Sequence, residues 1–161
     1  MLKQKNIDRD TCDTGGIGGT LAANALSMAA MRATLQNVLT PAMYARNIPL
    51  AVRFQEGVEA VIKEFNLPWI VKRLGCRAEY WMRPTAPANG TEAVEAIDTN
   101  LDRFMHIFCL NRGILMTPFH NMALIAPETT EGDIDHHTRV FREAVRDLVG
   151  KGAVKPLPAK L

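Results

Sequence analysis

The apolar residues of the chain form one long helical stretch near its start. The range 24–38 is apolar almost all round, and Asn24 is the predicted N-cap of the helix. A helix of this kind must be buried on most of its faces. We therefore expect its partner surface to be missing from this chain or to belong to a second chain.

A second helix is predicted to follow, with Thr40 as its N-cap and Pro41 as its first residue. Pro49 predicts a kink or an interruption, because proline removes one backbone hydrogen bond from a helix. Beyond it, one apolar stripe at helical spacing predicts core packing. Its members are Leu50, Phe54, Val58, Val61, Ile62 and Phe65.

Four short strands are predicted in the second half of the chain. Two of them, over 69–74 and 77–82, flank Gly75, and two more cover 114–117 and 122–125. Helices lie between and after these strands. One is capped by Thr99 or Asn100 and stops at Gly113, and the last opens with a capping box formed by Thr130 and Asp133 and ends at Gly150. This order predicts an α+β fold.

Composition narrows the class of protein. Of the 161 residues 47% are apolar and 22% are charged, which is typical of a soluble globular protein, and the net charge of +2 with no basic block does not indicate nucleic-acid binding. No apolar run approaches the roughly 20 residues of a membrane span. Three scattered cysteines and a polar start without a signal-peptide core predict a cytoplasmic protein with reduced thiols.

A glycine loop over 13–20 precedes the first helix. Four glycines in five positions free the backbone, and Thr20 ends the loop with a hydroxyl. Such a loop at a helix start suits an anion, because backbone N–H groups and the helix dipole point at it. It is not a P-loop, since no lysine follows the last glycine, and Leu21 breaks the G-x-G-x-x-G spacing.

The string over 18–30 resembles the G-T-x-x-x-N-P-x-x-x-A-A segment of class III aminotransferases, with the glutamate-1-semialdehyde aminomutase branch the most similar. These are pyridoxal-phosphate enzymes of fold type I. The resemblance implies that Gly19 and Thr20 bind the cofactor phosphate across a dimer interface. Ala25 stands where the family usually has proline, a helpful but dispensable first helical residue.

Two later segments extend this resemblance. The range 110–118 is similar to the family's L-x-x-x-G-V-x-x-x-P segment, and 130–135 is similar to its T-x-x-D-I-D start of the last helix. The resemblance thus runs from about residue 15 to 149. It implies that 1–39 is a remnant of the large cofactor-binding domain and that 40–161 comprises a bridging helix and the small C-terminal α+β domain.

The catalytic lysine of the family is missing from the expected place. Transamination needs a lysine that forms a Schiff base with the cofactor, and in the family it lies some tens of residues before the Gly-Thr loop. Only Lys3 and Lys5 precede the loop here, and both are too close to it. We therefore assign no catalytic residue and expect this chain alone to be inactive.

Two interpretations follow from the missing lysine. In the first, the chain is the C-terminal portion of a homodimeric pyridoxal-phosphate enzyme that transfers an amino group between an amino compound and an oxo acid. It would supply the phosphate loop and the small domain that closes over the substrate. In the second, it is a non-catalytic interaction subunit or remnant that pairs with a separate catalytic chain.

The bend over 119–121 is the predicted substrate-side segment. Phe119, His120 and Asn121 are the groups best placed to line the site, although His120 also fits a turn histidine that is bonded to backbone. Two departures from the family bear on the substrate. No arginine for a substrate carboxylate lies between Arg112 and Arg139, and Met122 stands where the aminomutase branch has glutamate.

No metal site is predicted. His106 and Cys109 share a helix face but lack a second pair of ligands. The adjacent His136 and His137 have no H-E-x-x-H context.

Overall fold

A computed structural model describes residues 23–117 and 120–158. The chain divides into two units, residues 1–40 and 41–161. No helix in these described ranges is long and apolar enough to cross a bilayer. In chain order the elements are α1 Ala25–Asn37, α2 Pro41–Glu64, β1 Ile70–Leu74, β2 Arg77–Trp81, α3 Gly90–Glu95, α4 Thr99–Leu110, β3 Met122–Leu124 and α5 Glu131–Gly150.

Helix α1 is the only element of the first unit among the described residues. Asn24 caps it as predicted, because its side chain accepts a hydrogen bond from the Ser27 backbone N–H at 3.0 Å. The sequence predicts that the surface covering this helix is missing from this chain or belongs to a second chain. No residue of α1 is buried, and Leu26 is 79% exposed. The helix thus leaves an apolar surface open.

Helix α2 is the centre of the second unit. It begins at Pro41 and continues without a break through Pro49, so the predicted interruption is wrong. The flanking Asn47 and Ala51 are both fully buried, and this packing on either side of Pro49 holds the helix together. The predicted stripe is confirmed, with Phe54, Val58, Val61 and Ile62 buried and Leu50 and Phe65 packed against the core.

The sheet is antiparallel with strand order β1-β2-β3. The predicted hairpin is confirmed, and Gly75 takes φ +57° in its turn, which glycine adopts without strain. The predicted strand over 114–117 is wrong, because this segment is irregular and does not pair with any of the three strands. The predicted strand over 122–125 is confirmed as β3 except for its last residue.

Helices α2 and α5 pack against each other, and α2 also packs against the hairpin β1-β2. Tyr80 lies 4.9 Å from Phe141 between ring centroids at the centre of this core. The capping box of Thr130 and Asp133 is confirmed. The cap of α4 is Asp98, one residue before the predicted Thr99, because its carboxylate accepts from two backbone N–H groups. Helix α3 is not predicted by the pattern.

Substitution of Gly57 by alanine should test the close contact between α2 and α5. A Cβ at Gly57 would collide with the Thr138 hydroxyl and lie 3.1 Å from Thr138 Cγ2. The hydroxyl is held in place by its bond to the Ile134 carbonyl at 3.1 Å. We expect a loss of about 1–3 kcal/mol in the free energy of unfolding, measured by urea titration.

The matched control is Gly132→Ala in α5, where the nearest atom lies at an ordinary 3.6 Å. This change should leave stability equal or slightly higher. The double variant Gly57→Ala/Thr138→Ala should recover most of the loss. If Gly57→Ala is no worse than Gly132→Ala, the two helices are not in close contact at this position.

Candidate active-site bend and its polar cluster

Of the predicted site residues, the structure describes His120 and Asn121. They lie just before β3, in the bend that follows the irregular segment 114–117. Gly19, Thr20 and Phe119 lie outside the described residues. Their roles in binding phosphate and substrate remain predictions.

His120 contacts the carboxylate of Glu79, which was not among the predicted site residues. Its Nδ1 lies 3.2 Å from Glu79 Oε1, and the Glu79 side chain is only 11% exposed. The second carboxylate oxygen accepts from Arg77 Nη2 at 2.7 Å. Because a buried carboxylate is costly without partners, the arginine and the imidazole together stabilise Glu79 on the sheet. Glu79 in turn fixes the position of His120.

Asn121 is held from two sides. Its main-chain carbonyl accepts from the Tyr80 backbone N–H at 3.1 Å, and its side-chain Nδ2 donates to Asp102 Oδ1 at 2.5 Å. Burial raises the pKa of Asp102, and the hydrogen bond from Asn121 opposes that rise by stabilising the charged form. The bend is therefore tied to both β2 and α4.

Arg77, Glu79, Asp102, His120 and Asn121 together form what we call the polar cluster. Next to it lies a cavity of only about 30 Å³, enough for about one water molecule. The cluster therefore orients the bend, and the described residues alone do not enclose a substrate there. Glu79 could have been noticed in the sequence as an acidic residue between Ala78 and Tyr80 in a predicted strand. Its contact with His120, however, joins residues that are far apart in the sequence.

His136, His137 and Cys109 lie outside the polar cluster. His136 Nε2 lies 2.8 Å from the Arg112 carbonyl oxygen, and His137 is buried in the core. Burial raises the pKa of the Cys109 thiol to about 11, so it stays protonated at neutral pH. Across residues 23–117 and 120–158, no group of three or more His, Cys, Asp or Glu side chains could hold a metal ion.

A pyridoxal-phosphate site needs a lysine that faces the cofactor ring in a shielded pocket. Lys63, Lys72, Lys151 and Lys155, the lysines within the described ranges, are all exposed. These parts of the chain therefore do not form a site for the cofactor ring by themselves.

Comparison with known proteins finds relatives of one enzyme family. No family model matches the chain. The chain is 33% identical over 131 residues to a glutamate-1-semialdehyde 2,1-aminomutase of Thermomicrobium roseum. This alignment covers 81% of this chain and 30% of that relative. The chain thus spans about 30% of the length of the curated relatives that it matches.

Solved structures agree with the sequence comparison. A glutamate-1-semialdehyde aminomutase variant from Pseudomonas aeruginosa PAO1, in complex with PMP, matches with 44% identity and a TM-score of 0.75, covering 85% of this chain and 30% of that one. An omega-transaminase from Sphaerobacter thermophilus matches with 22% identity and a TM-score of 0.65, covering 87% of this chain and 33% of the other, which supports the fold alone.

The predicted fold class and family are thereby confirmed, because relatives and structures of one family match the same large part of the chain. The chain belongs to the class III pyridoxal-phosphate-dependent aminotransferase family, in its glutamate-1-semialdehyde aminomutase-like branch, and corresponds to the C-terminal portion of the family's members.

Proposed function

We propose that the chain supplies the small C-terminal domain and the cofactor-phosphate loop of a pyridoxal-phosphate-dependent aminotransferase or aminomutase. The observation that carries this proposal is the match to the aminomutase of Pseudomonas aeruginosa, with 44% identity over 85% of the chain. The assembled enzyme would be a cytoplasmic homodimer that acts on a small amino compound and an oxo acid. Bound pyridoxal phosphate would supply the electron sink for moving the amino group.

In that assembly, residues of this chain would bind the cofactor phosphate and line the substrate site. Gly19 and Thr20 would donate hydrogen bonds to the cofactor phosphate. The bend with Phe119, His120 and Asn121 would line the substrate, and Glu79 would fix the direction of the His120 imidazole. The Schiff-base lysine would come from polypeptide other than this chain, in line with the exposure of Lys63, Lys72, Lys151 and Lys155.

A second candidate, an interaction subunit without catalytic function of its own, draws support from α1. None of the residues of α1 is buried, and its apolar side chains are available to a partner. The two candidates differ in whether a complementary polypeptide that carries the lysine yields an active complex with this chain.

A reconstitution experiment tests the proposal. The chain would be co-expressed with the part of the Pseudomonas aeruginosa aminomutase that it does not match. We expect a complex that retains pyridoxal phosphate through gel filtration. Substitution of Thr20 by valine should weaken cofactor binding roughly tenfold or more, because a hydrogen bond to a charged phosphate is lost.

Thr14→Val, at the other end of the glycine loop, is the matched control and should bind the cofactor like the parent. The chain alone, treated with pyridoxal phosphate and borohydride, should show no pyridoxyl adduct at a specific lysine by mass spectrometry. A stoichiometric adduct on one lysine of this chain would contradict the assignment of the lysine to other polypeptide. A stable complex that binds no cofactor would favour the interaction subunit.

A further inference from the structure

The outer edge of β3, the edge that faces away from β2, carries backbone groups that the sheet does not use. The Asn121 carbonyl and the Ile125 N–H form hydrogen bonds with β2 and the residue before it, at 3.1 and 2.9 Å. Bonded and non-bonded pairs alternate along antiparallel strands, so Ala123 also faces β2 with its N–H and carbonyl. The backbone groups of Met122 and Leu124 therefore point to the outer edge.

Leu124 has no partner for these groups within the described ranges. The Met122 carbonyl accepts from the Thr117 hydroxyl at 3.5 Å. Neither the N–H nor the carbonyl of Leu124 is bonded to any residue that the structure describes. An unpaired strand edge of this kind is a template on which another strand can form hydrogen bonds.

This edge opens into the largest cavity among the described residues. The cleft has a volume of about 500 Å³, and the four consecutive residues 122–125 line it on one side and 114–117 on another. Successive side chains of a strand point to opposite faces of the sheet, so a cleft lined by all four lies at the edge of the strand. Leu115 and Leu124, two of its lining residues, are 81% and 64% exposed.

The shape of the cleft determines what can reach the outer edge of β3. The edge is recessed, because the segment 114–117 borders the same cleft. A second copy of the chain would have to bring several packed elements into this recess, whereas a single extended segment needs only the width of one strand. Such a segment can bond to Leu124 through its backbone and place every second side chain against the apolar lining, which includes Phe54 and Ile134.

We propose that one extended segment of the polypeptide that this chain lacks relative to its relatives adds to the outer edge of β3 as a fourth strand. The aminomutase of Pseudomonas aeruginosa matches 85% of this chain with 30% of its own length, so most of that protein has no counterpart here. A segment with apolar residues at alternate positions fits the cleft. The inference rests on the proposed function, because it takes the complementary part of the enzyme as the source of the strand.

Synthetic peptides test this inference on the full chain. Overlapping peptides of about 12 residues, each longer than a typical strand, would cover the part of the Pseudomonas aeruginosa aminomutase that the chain does not match. Amide hydrogen exchange would be followed by NMR. We expect one peptide, or two that overlap, to slow exchange of the Leu124 amide by about tenfold or more at saturation. The Ala123 amide already faces β2 and should exchange at an unchanged rate.

Two variants separate backbone pairing from apolar contact. Leu124→Pro removes the N–H that an added strand needs, and proline is tolerated where the N–H faces away from the neighbouring strand. It should bind the selected peptide about tenfold more weakly, measured at the methyl resonances of Ile114 and Ile125. Leu124→Val, the matched control, keeps the N–H and should bind like the parent. Slow exchange of the Ala123 amide in Leu124→Pro verifies that the sheet is intact.

Three results would overturn the inference. They are failure of every peptide to slow the Leu124 amide, equal binding by Leu124→Pro and Leu124→Val, and slowing that follows the concentration of the chain without peptide, which would identify a second copy as the occupant. A reconstituted complex that retains pyridoxal phosphate while no peptide affects Leu124 would overturn this inference alone. A peptide that slows Leu124 while the complex binds no cofactor would support it and count against the proposed function.

Discussion

Acidification from pH 7 to pH 4 is expected to lower the free energy of unfolding steeply, with His137 as the main cause. The buried ring has a pKa of about 3 in the folded protein, against 6.5 for an ordinary histidine. Between these two values the unfolded chain binds a proton that the folded protein does not. Stability is therefore lost as the pH falls below 6.5, by up to about 1.4 kcal/mol per pH unit for this single group.

Among the residues that the structure describes, no salt bridge to His137 compensates for this loss. The aromatic rings around it are those of Phe54, Tyr80 and Phe141, and the neighbouring His136 lowers the pKa further. Protonation would thus put an uncompensated charge into the core. Urea titrations at pH 7, 5.5 and 4 would measure the slope.

The variant His137→Leu isolates this effect. Leucine removes two buried nitrogen atoms that have no hydrogen-bond partner among the described residues, so stability at pH 7 should stay equal or rise by about 1 kcal/mol. The loss on acidification should become much shallower than in the parent. His106→Leu serves as the control and should retain the steep acid dependence. If His137→Leu loses stability with the same slope as the parent, the acid sensitivity has another origin.

Substitution of Asn47 by aspartate is expected to destabilise the protein by about 3 kcal/mol or more. Asn47 is fully buried, and its Nδ2 donates to the Ala126 carbonyl at 2.5 Å and lies 3.5 Å from the Ile125 carbonyl oxygen. A carboxylate there has no proton to donate, and its charge would face these two carbonyl oxygens. Arg46, which donates to the Asn47 side-chain oxygen at 3.1 Å, would offset part of this cost.

The control for this prediction is Asn37→Asp. Asn37 also donates from its side chain to a backbone carbonyl, that of Ala33 at 3.0 Å, but it is exposed. Water can solvate the carboxylate at that position, so little change is expected. Urea titration at neutral pH would compare the two variants. Similar losses for both would show that Asn47 is not an essential link between α2 and the segment after β3.

The features that sequence predicted well are those with local causes. The apolar stripe of α2, the hairpin turn at Gly75 and the capping box at Thr130 each depend on residues that are close together in the chain. Their spacing carries the information directly. The family was predicted on similar grounds, from short strings in the correct order.

The features that were missed depend on contacts between distant segments. Glu79 meets His120 and Asp102 meets Asn121 only after β2, α4 and the bend have packed together. The segment 114–117 has strand-like residues but pairs with no strand of the sheet. Helix α2 tolerates Pro49 because its flanks are buried. Tertiary packing overrides local preference in each case.

The end of the described chain is joined to the end of α2. The Leu157 N–H donates to the Asn66 carbonyl at 2.7 Å, and the Asn66 side chain donates to the Leu157 carbonyl at 2.7 Å, across 91 positions of sequence. Closing so long a loop costs chain entropy, so these two hydrogen bonds are unfavourable early in folding. We expect them to form after α5 has docked and brought the two segments together. The exchange rate of the Leu157 amide hydrogen thus reports how often this contact between two distant segments opens.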